Sequence, residues 1–266
     1  MLPPASIITL LSDFGDRDYF VASMKGVILS IHPDARIVDL SHQIAPHQIE
    51  EAGYILHSCY RSFPDGTIHV CVVDPGVGSA RRPILVATSR HYFLAPDNGL
   101  LSLVLRDERN VEIRQITNAQ YRLQSEGATF DGRDLFAPSA AWLAKGKPVS
   151  SFGRVIDDPV TRSIADPIRR GQALLGQIEY VDRFGNLISN ITVKHIQEFR
   201  TAAGRLHLTV HVGTCAINGL VASYSEGSCD TPSALINSCG KLEIFLDRNS
   251  AAQRMQIGVG GEIRLC

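Results

Sequence analysis

Four apolar runs in this chain end in an aspartate and break at once into a glycine-bearing turn. They are ITLLSDFGD at Asp13, HVCVVDPGVGS at Asp74, YFLAPDNGLLS at Asp97 and IEYVDRFGNLISN at Asp182. Such a run reads as a buried strand, and the turn leaves the carboxylate at the sheet edge. In open α/β sheets, ligands bind in the crevice outside the carboxyl ends of the strands. Several acidic strand ends therefore suggest a site of carboxylates that clamps hydroxyl groups or a cation. The competing reading is local, because an aspartate that opens a turn often bonds its own backbone. That reading is strongest for Asp97, where Asp-Asn-Gly is favourable turn chemistry.

The elements that must position these groups alternate along the first part of the chain. Strands are expected at Ile7–Leu11, Arg36–Leu40 and Ile68–Val73, with helices at Asp18–Ile31 and Ile49–Arg61. In the first helix Phe20, Val21, Met24, Val27, Ile28 and Ile31 recur at helical spacing, and His32-Pro33-Asp34 stops it. Ile68–Val73 is almost continuously apolar, as expected of a strand covered on both faces. A strand pair at Ile84–Ala87 and Tyr92–Ala95, a short helix near Leu100–Leu105 and a helix at Asp134–Lys145 follow. Pro138 sits in the first turns of the last, where proline is tolerated. This rhythm predicts an N-terminal α/β domain over residues 1–160, with a largely parallel sheet and helices on both faces.

Residues 157–171, rich in Asp, Pro and Arg, read as a linker. Beyond it the pattern is strand-like: Ala173–Val181, Leu187–Ile191, Arg205–Val212, Leu242–Leu246 and Gln256–Leu265. Leu206, Leu208, Val210 and Val212 alternate with His207, Thr209 and His211, the mark of a half-exposed strand. Short strands of this kind predict a small C-terminal β-barrel domain over residues 171–266.

Composition narrows the function classes. The 266 residues are 44% hydrophobic and 20% charged, with a formal net charge of -1. That is an ordinary soluble globular chain with no electrostatic footprint for nucleic acid. The basic doublets Arg81-Arg82 and Arg169-Arg170 read as surface or ligand-side features. The six cysteines form no Cys-x-x-Cys and no zinc spacing, and His207 and His211 share a face without a third ligand, so no metal site is expected. Reduced thiols and a cytoplasmic location are expected. MLPPASIITLL reads as a first strand rather than a signal peptide, and no apolar run approaches the roughly 18 residues of a membrane helix. Neither G-x-S-x-G nor a G-x-G-x-x-G after the first strand is present, which argues against an unrelated α/β hydrolase or dehydrogenase.

The motifs LLSDFGDRDYFVASMKGV, VVDPGVGSARRP, APDNGLLS, TFDGRDLFAPSAAWLA, VDRFGNLISNI and INSCGKLEIF, the last followed by NSAA, occur in one order across nearly the whole chain. Together they resemble the S-adenosyl-L-methionine hydroxide adenosyltransferases, relatives of the enzymes that make 5′-fluoro- and 5′-chloro-5′-deoxyadenosine. The resemblance implies hydrolysis of S-adenosyl-L-methionine to adenosine and methionine by displacement at the ribose 5′ carbon. It implies no cofactor, S-adenosylmethionine being the substrate. It also implies a homotrimer with substrate held between one subunit's N-terminal domain and its neighbour's C-terminal domain.

By the same resemblance Asp13 accepts hydrogen bonds from both ribose hydroxyls, although its position before a helical run also suits a helix N-cap. Asp18 is a candidate for the methionine end. Asp182 and Asn186 match the residues holding the methionine ammonium and the adenine edge. Phe184 either stacks on the base or belongs to the barrel core, and Ser238 matches a contact to the methionine carboxylate. Cys239 stands where relatives carry a larger or more polar residue. Asp74 and Arg81 match two members of an Asp–Arg–His set beside the nucleophilic water. Read from composition alone, Arg81 would be a solvated loop cation.

One position departs from the family. The chain reads Thr129-Phe130-Asp131-Gly132-Arg133-Asp134 where hydrolase relatives read Thr-Phe-His-Gly-Arg-Asp, and no other histidine is placed by sequence to replace the missing one. Three readings stay open. Asp131 serves as the base beside Asp74, two close carboxylates being able to share a proton. Or the protein binds the nucleoside with little turnover. Or the nucleophile is a halide, which two carboxylates would repel.

Overall fold

The computed structural model describes residues 3–127, 129–163, 165–203 and 207–266. The chain forms two compact units, Met1–Ser163 and Ile164–Cys266.

The first unit contains β1 (Ile7–Ser12), α1 (Phe20–Ile31), β2 (Arg36–Ser41), α2 (Ile49–Cys59), β3 (Ile68–Val72), β4 (Pro83–Ala87), β5 (Tyr92–Pro96), α3 (Ser102–Asp107), β6 (Glu112–Gln115) and α4 (Ala137–Ala144). Its sheet runs β2-β1-β3-β5-β4-β6. The pairs β2–β1, β1–β3 and β3–β5 are parallel, while β4 lies antiparallel to both β5 and β6. Each face carries its own core. Val70 and Val72 pack with Met24 and Ile28 of α1 and with α4. Cys71 and Val73 point the other way, to Ala52 and Leu56 of α2 and Val104 of α3. The unbroken apolar run of β3 is therefore the mark of two covered faces.

Several boundaries differ from the sequence reading. α1 starts at Phe20 rather than Asp18, with no side chain capping it. α2 ends at Cys59, and Tyr60–Ser62 tightens into a 3-10 turn. The helix expected from Asp134 is a π-helical turn, Gly132–Phe136, that runs into α4 with Pro138 in its first turn. The four-residue strand β6 escaped notice because EIRQ is mostly polar.

The expected linker is also partly structured. The Asp158 carboxylate and carbonyl accept from Arg82 at 2.7 and 2.6 Å. Val160 N donates to Asp97 and Arg162 N to Ser102, each at 2.8 Å. Residues 158–162 are thus pinned to the first unit.

The second unit contains β7 (Ile168–Arg170), β8 (Ala173–Val181), β9 (Leu187–Thr192), α5 (Val193–Ala203), β10 (Thr209–Val212), β11 (Cys215–Asn218), β12 (Ser233–Ile236), β13 (Lys241–Phe245), α6 (Ala251–Met255) and β14 (Glu262–Leu265). The antiparallel order is β11-β10-β14-β8-β9-β13-β12, with β7 added to β8. Val221 N donates to Ala234 O at 2.9 Å, joining the chain after β11 to β12. The sheet is therefore nearly closed and barrel-like. Its interior holds Ile178, Leu187, Ile191, Val210, Ile244 and Ile263. The sequence reading missed α5, whose Ile196 and Phe199 are buried at helical spacing, as well as β11 and β12. The alternation expected from Arg205 is seen from Thr209. Arg205 and Leu206 lie outside the described residues.

None of the six cysteines is joined in a disulfide. Among the described residues no helix is long and apolar enough to cross a membrane.

Candidate active site

Parallel pairing brings the first two carboxylates together. β1 and β3 are neighbours with Ser12 opposite Val72, so Asp13 and Asp74 leave the sheet at the same edge. Both line a cavity of about 320 Å³ together with Asp131, His47 and the rings of Phe14, Phe20 and Phe130. Those three rings pack edge-to-face or tilted, 5.2 to 5.8 Å apart, and form an apolar wall. Gly132 allows this closeness: a Cβ there would stand 3.1 Å from Met24 Sδ and from Phe130, and 3.2 Å from Phe14.

After Asp74 the chain folds back on itself. Ser79 N and its hydroxyl both donate to Gly76 O, at 3.1 and 2.6 Å. The return puts Arg81 against Asp74. Arg81 Nε donates to both Asp74 oxygens, at 3.0 and 2.8 Å, and Nη2 also donates to Asp74 Oδ2. The same Nη2 reaches Asp131 Oδ2 at 2.6 Å. The three side chains are largely buried, at 10% exposure for Arg81, 6% for Asp74 and 17% for Asp131. The guanidinium lies 5.5 Å from the centre of the Phe136 ring. Arg81 is therefore no solvated loop cation. A half-exposed second arginine, Arg122, stands 3.8 Å from Asp131 Oδ1.

Asp13 is not a helix cap. Its Oδ2 accepts from His47 N at 2.9 Å, and its side chain is 9% exposed. His47 also lines the cavity, a histidine the sequence reading did not place there. It follows β2, and parallel strands deliver their loops to one edge; that topology was the available signal. Asp18 is exposed and outside the cavity lining.

Asp97 serves neither the site nor its own turn. Its carboxylate accepts from Arg82 Nε and from Val160 N, each at 2.8 Å. The local turn bond belongs to Asn98, whose Oδ1 accepts from Leu100 N. Of the two basic neighbours, Arg81 holds the cavity carboxylates and Arg82 holds Asp97 and the 158–162 segment.

Asp182 belongs to the second unit and to a separate cavity of about 700 Å³. Its Oδ1 accepts from Phe184 N and Asn186 N at 2.9 and 2.8 Å, and its Oδ2 from the Asn186 amide at 2.9 Å. A carboxylate has about four acceptor positions, so these three bonds leave one open. Phe184 is 76% exposed and lines this cavity, which overturns the barrel-core alternative. Gly185 has φ +83, and a Cβ there would overlap Ser250, another lining residue. Ser238 is exposed in the turn after β12 and is not part of the lining.

The sequence reading missed Tyr224. Its hydroxyl donates to Glu243 Oε1 at 2.7 Å, and Asn237 donates to Glu243 Oε2 at 3.0 Å. Burial pushes the Tyr224 phenol above its ordinary pKa, and the bond to Glu243 adds to the shift. Nothing local in SYSEG signals this role. Asn249 and Ser250, by contrast, lie in the quoted NSAA motif.

Comparison with known proteins gives the family. A family model described as the SAM hydroxide adenosyltransferase N-terminal domain matches residues 8–153, and one for the C-terminal domain matches residues 176–264. This chain belongs to the SAM hydroxide adenosyltransferase family. It is 32% identical to an (R)-S-adenosyl-L-methionine hydrolase of Thermus thermophilus, over 97% of this chain and 98% of that protein. It is 31% identical to a fluorinase of Actinoplanes sp., over 92% and 91% of the two chains. The crystal structure of an uncharacterized conserved protein from Thermotoga maritima superposes with a TM-score of 0.89 at 31% identity, covering 97% of this chain and 99% of that one. The relatives thus include proteins named for hydrolysis and proteins named for fluorination.

Proposed function

We propose that this protein hydrolyses S-adenosyl-L-methionine to adenosine and L-methionine. The observation that carries the reading is the Asp74–Arg81–Asp131 cluster, two of whose members share a cavity wall with Asp13. In the reaction the water oxygen bonds to the ribose 5′ carbon and the C5′–S bond breaks. Its electron pair goes to sulfur, methionine leaves as a neutral thioether, and one water proton passes by way of Asp74 to solvent. A sulfonium is already a good leaving group, so the protein need only align the reacting atoms and exclude bulk water. No cofactor is required for that chemistry.

Asp74, held in place by Arg81, orients the water and receives its proton. Asp131 takes the position of the family histidine as a second acceptor on the same guanidinium. Asp13 accepts from the ribose diol, and the three phenylalanines keep solvent out. In the second unit Asp182 offers its open acceptor position to the methionine ammonium, Asn186 meets the adenine edge and Phe184 covers the base. Asp18 and Ser238 are left out of this assignment because both are exposed and outside the cavity linings. Each cavity carries only part of this ligand set, which supports a homotrimer that pairs the Asp13 cavity of one subunit with the Asp182 cavity of a neighbour. Six cysteines outside any disulfide support a cytoplasmic location.

Transfer to a halide is disfavoured on charge. Asp74 and Asp131 are met by Arg81 and at most by Arg122, so the cluster offers an anion no net positive charge. The test is incubation with S-adenosylmethionine, with and without chloride, followed by chromatography for adenosine and methionine. Catalytic adenosine supports the reading, and a chlorinated nucleoside would overturn the charge argument. Product no higher than that of Asp74→Ala would leave a nucleoside-binding protein.

A further inference from the structure

His47 has an unusual backbone and a largely exposed ring. Its φ is +67, one of four non-glycine residues with positive φ among those described. Such conformations cost energy and persist only where their surroundings impose them, often at ligand sites. Here both backbone groups are engaged: His47 N donates to Asp13 Oδ2 at 2.9 Å, and His47 O accepts from Ile49 N at 3.0 Å. The backbone is held by the very carboxylate that the proposed function assigns to the ribose. The side chain lines the same cavity and is 71% exposed.

The spacing of the two side chains is informative. His47 Nδ1 lies 4.0 Å from Asp13 Oδ2, too far for a hydrogen bond. A hydroxyl oxygen about 2.8 Å from each atom would span that gap. It would accept from the imidazole N–H and donate to the carboxylate, and the ring can adopt the required tautomer. Asp13 alone can only accept, so it recognises the protons of the diol. The pair Asp13 and His47 recognises both the proton and the lone pair of one hydroxyl.

We propose that His47 is a specificity-determining residue that acts with Asp13 to select a nucleoside bearing an intact 2′,3′-diol over a deoxynucleoside. This rests on the reading of the cavity as a nucleoside site. A site whose polar groups are built around a hydroxyl rejects the analogue lacking it, because those groups are then left unpaired.

The test is calorimetry on the full chain with adenosine, 2′-deoxyadenosine and 3′-deoxyadenosine, which needs no turnover. The variants are His47→Gly, which favours the positive φ and keeps the N–H to Asp13, and His47→Asn, which tolerates that φ and retains a side-chain donor. Wild type should prefer adenosine over at least one deoxynucleoside by about 100-fold. His47→Gly should lose about tenfold in adenosine affinity, the scale of one hydrogen bond. It should bind that deoxynucleoside nearly as wild type does, so that discrimination falls by the same factor, and His47→Asn should recover part of it. Undiminished discrimination in His47→Gly would sink this inference while leaving the nucleoside site intact. Equal weakening toward all three ligands would also sink it, by showing that His47 only shapes the loop. No adenosine binding by wild type would remove the inference and the nucleoside reading together.

Discussion

Arg81 Nη2 donates to the Asp131 Oδ2 at 2.6 Å across 50 residues of sequence. That bond ties the loop after β3 to the π-helical turn before α4. It also means that Asp131, which the resemblance sets against a family histidine, is engaged by a cation rather than left facing Asp74 alone.

The first prediction concerns that position. Asp131→His restores an imidazole, a base suited to neutral pH. Arg81 should stay placed, because Asp74 still accepts from its Nε at 3.0 and 2.8 Å. The rate of S-adenosylmethionine hydrolysis should rise about tenfold or more. A rate at or below that of wild type would show that Asp131 is not merely a weakened substitute.

Asp13→Ala removes the acceptor for the His47 N–H and, on the proposed reading, for the ribose. Hydrogen bonds to a charged group contribute about 1.5–3 kcal/mol each. KM for S-adenosylmethionine should rise about 100-fold, with kcat reduced less. An unchanged KM in steady-state assays would take Asp13 out of the binding site.

Gly185→Ala tests the turn that presents Phe184 and Asn186. At φ +83 any Cβ is strained, and this one would also overlap Ser250, whose hydroxyl accepts from Gln253 N to cap α6. A loss of about 2 kcal/mol or more is expected in urea unfolding. A neutral result would mean that the turn and α6 move apart freely.

Acid sensitivity should come from the buried histidines. Burial pushes His69 down from 6.5 to about 3, with His91 nearby adding to the shift, and burial lowers His91 as well. Above pH 6.5 the His69 ring is neutral both folded and unfolded, so it adds no pH dependence. As the pH falls below 6.5 the unfolded chain takes up a proton that the folded chain refuses, and stability is lost from there toward pH 3. His69 alone should cost about 2 kcal/mol between pH 7.5 and 5. Urea midpoints of wild type and His69→Leu compare the slopes; equal slopes would assign the acid sensitivity elsewhere.

The plan of the first unit, a sheet covered by helices on both faces, was legible because its signals are local. The buried run before Asp74, the helical spacing of Met24 and Ile28 and the glycine turn after Asp13 each act within a few residues. The C-terminal half was less legible. CAIN and SALI are too short to show alternation, and α5 lies in a stretch where only its two ends had been read as strand.

For the site, sequence by itself determined which groups are available: carboxylates at strand ends, Arg81 in its turn, and Asp131 in the Thr-Phe-Asp-Gly-Arg-Asp run. Tertiary structure decided what each of them meets. Asp97 ends a strand as Asp74 does, yet β4 and the 158–162 segment bring it Arg82 and Val160. Tyr224 finds Glu243 from 19 residues away. His47 joins Asp13 because parallel strands empty their loops at one edge. A strand end is set by neighbouring residues, whereas the partner of a charge is set by whichever distant segment the packed core delivers to it.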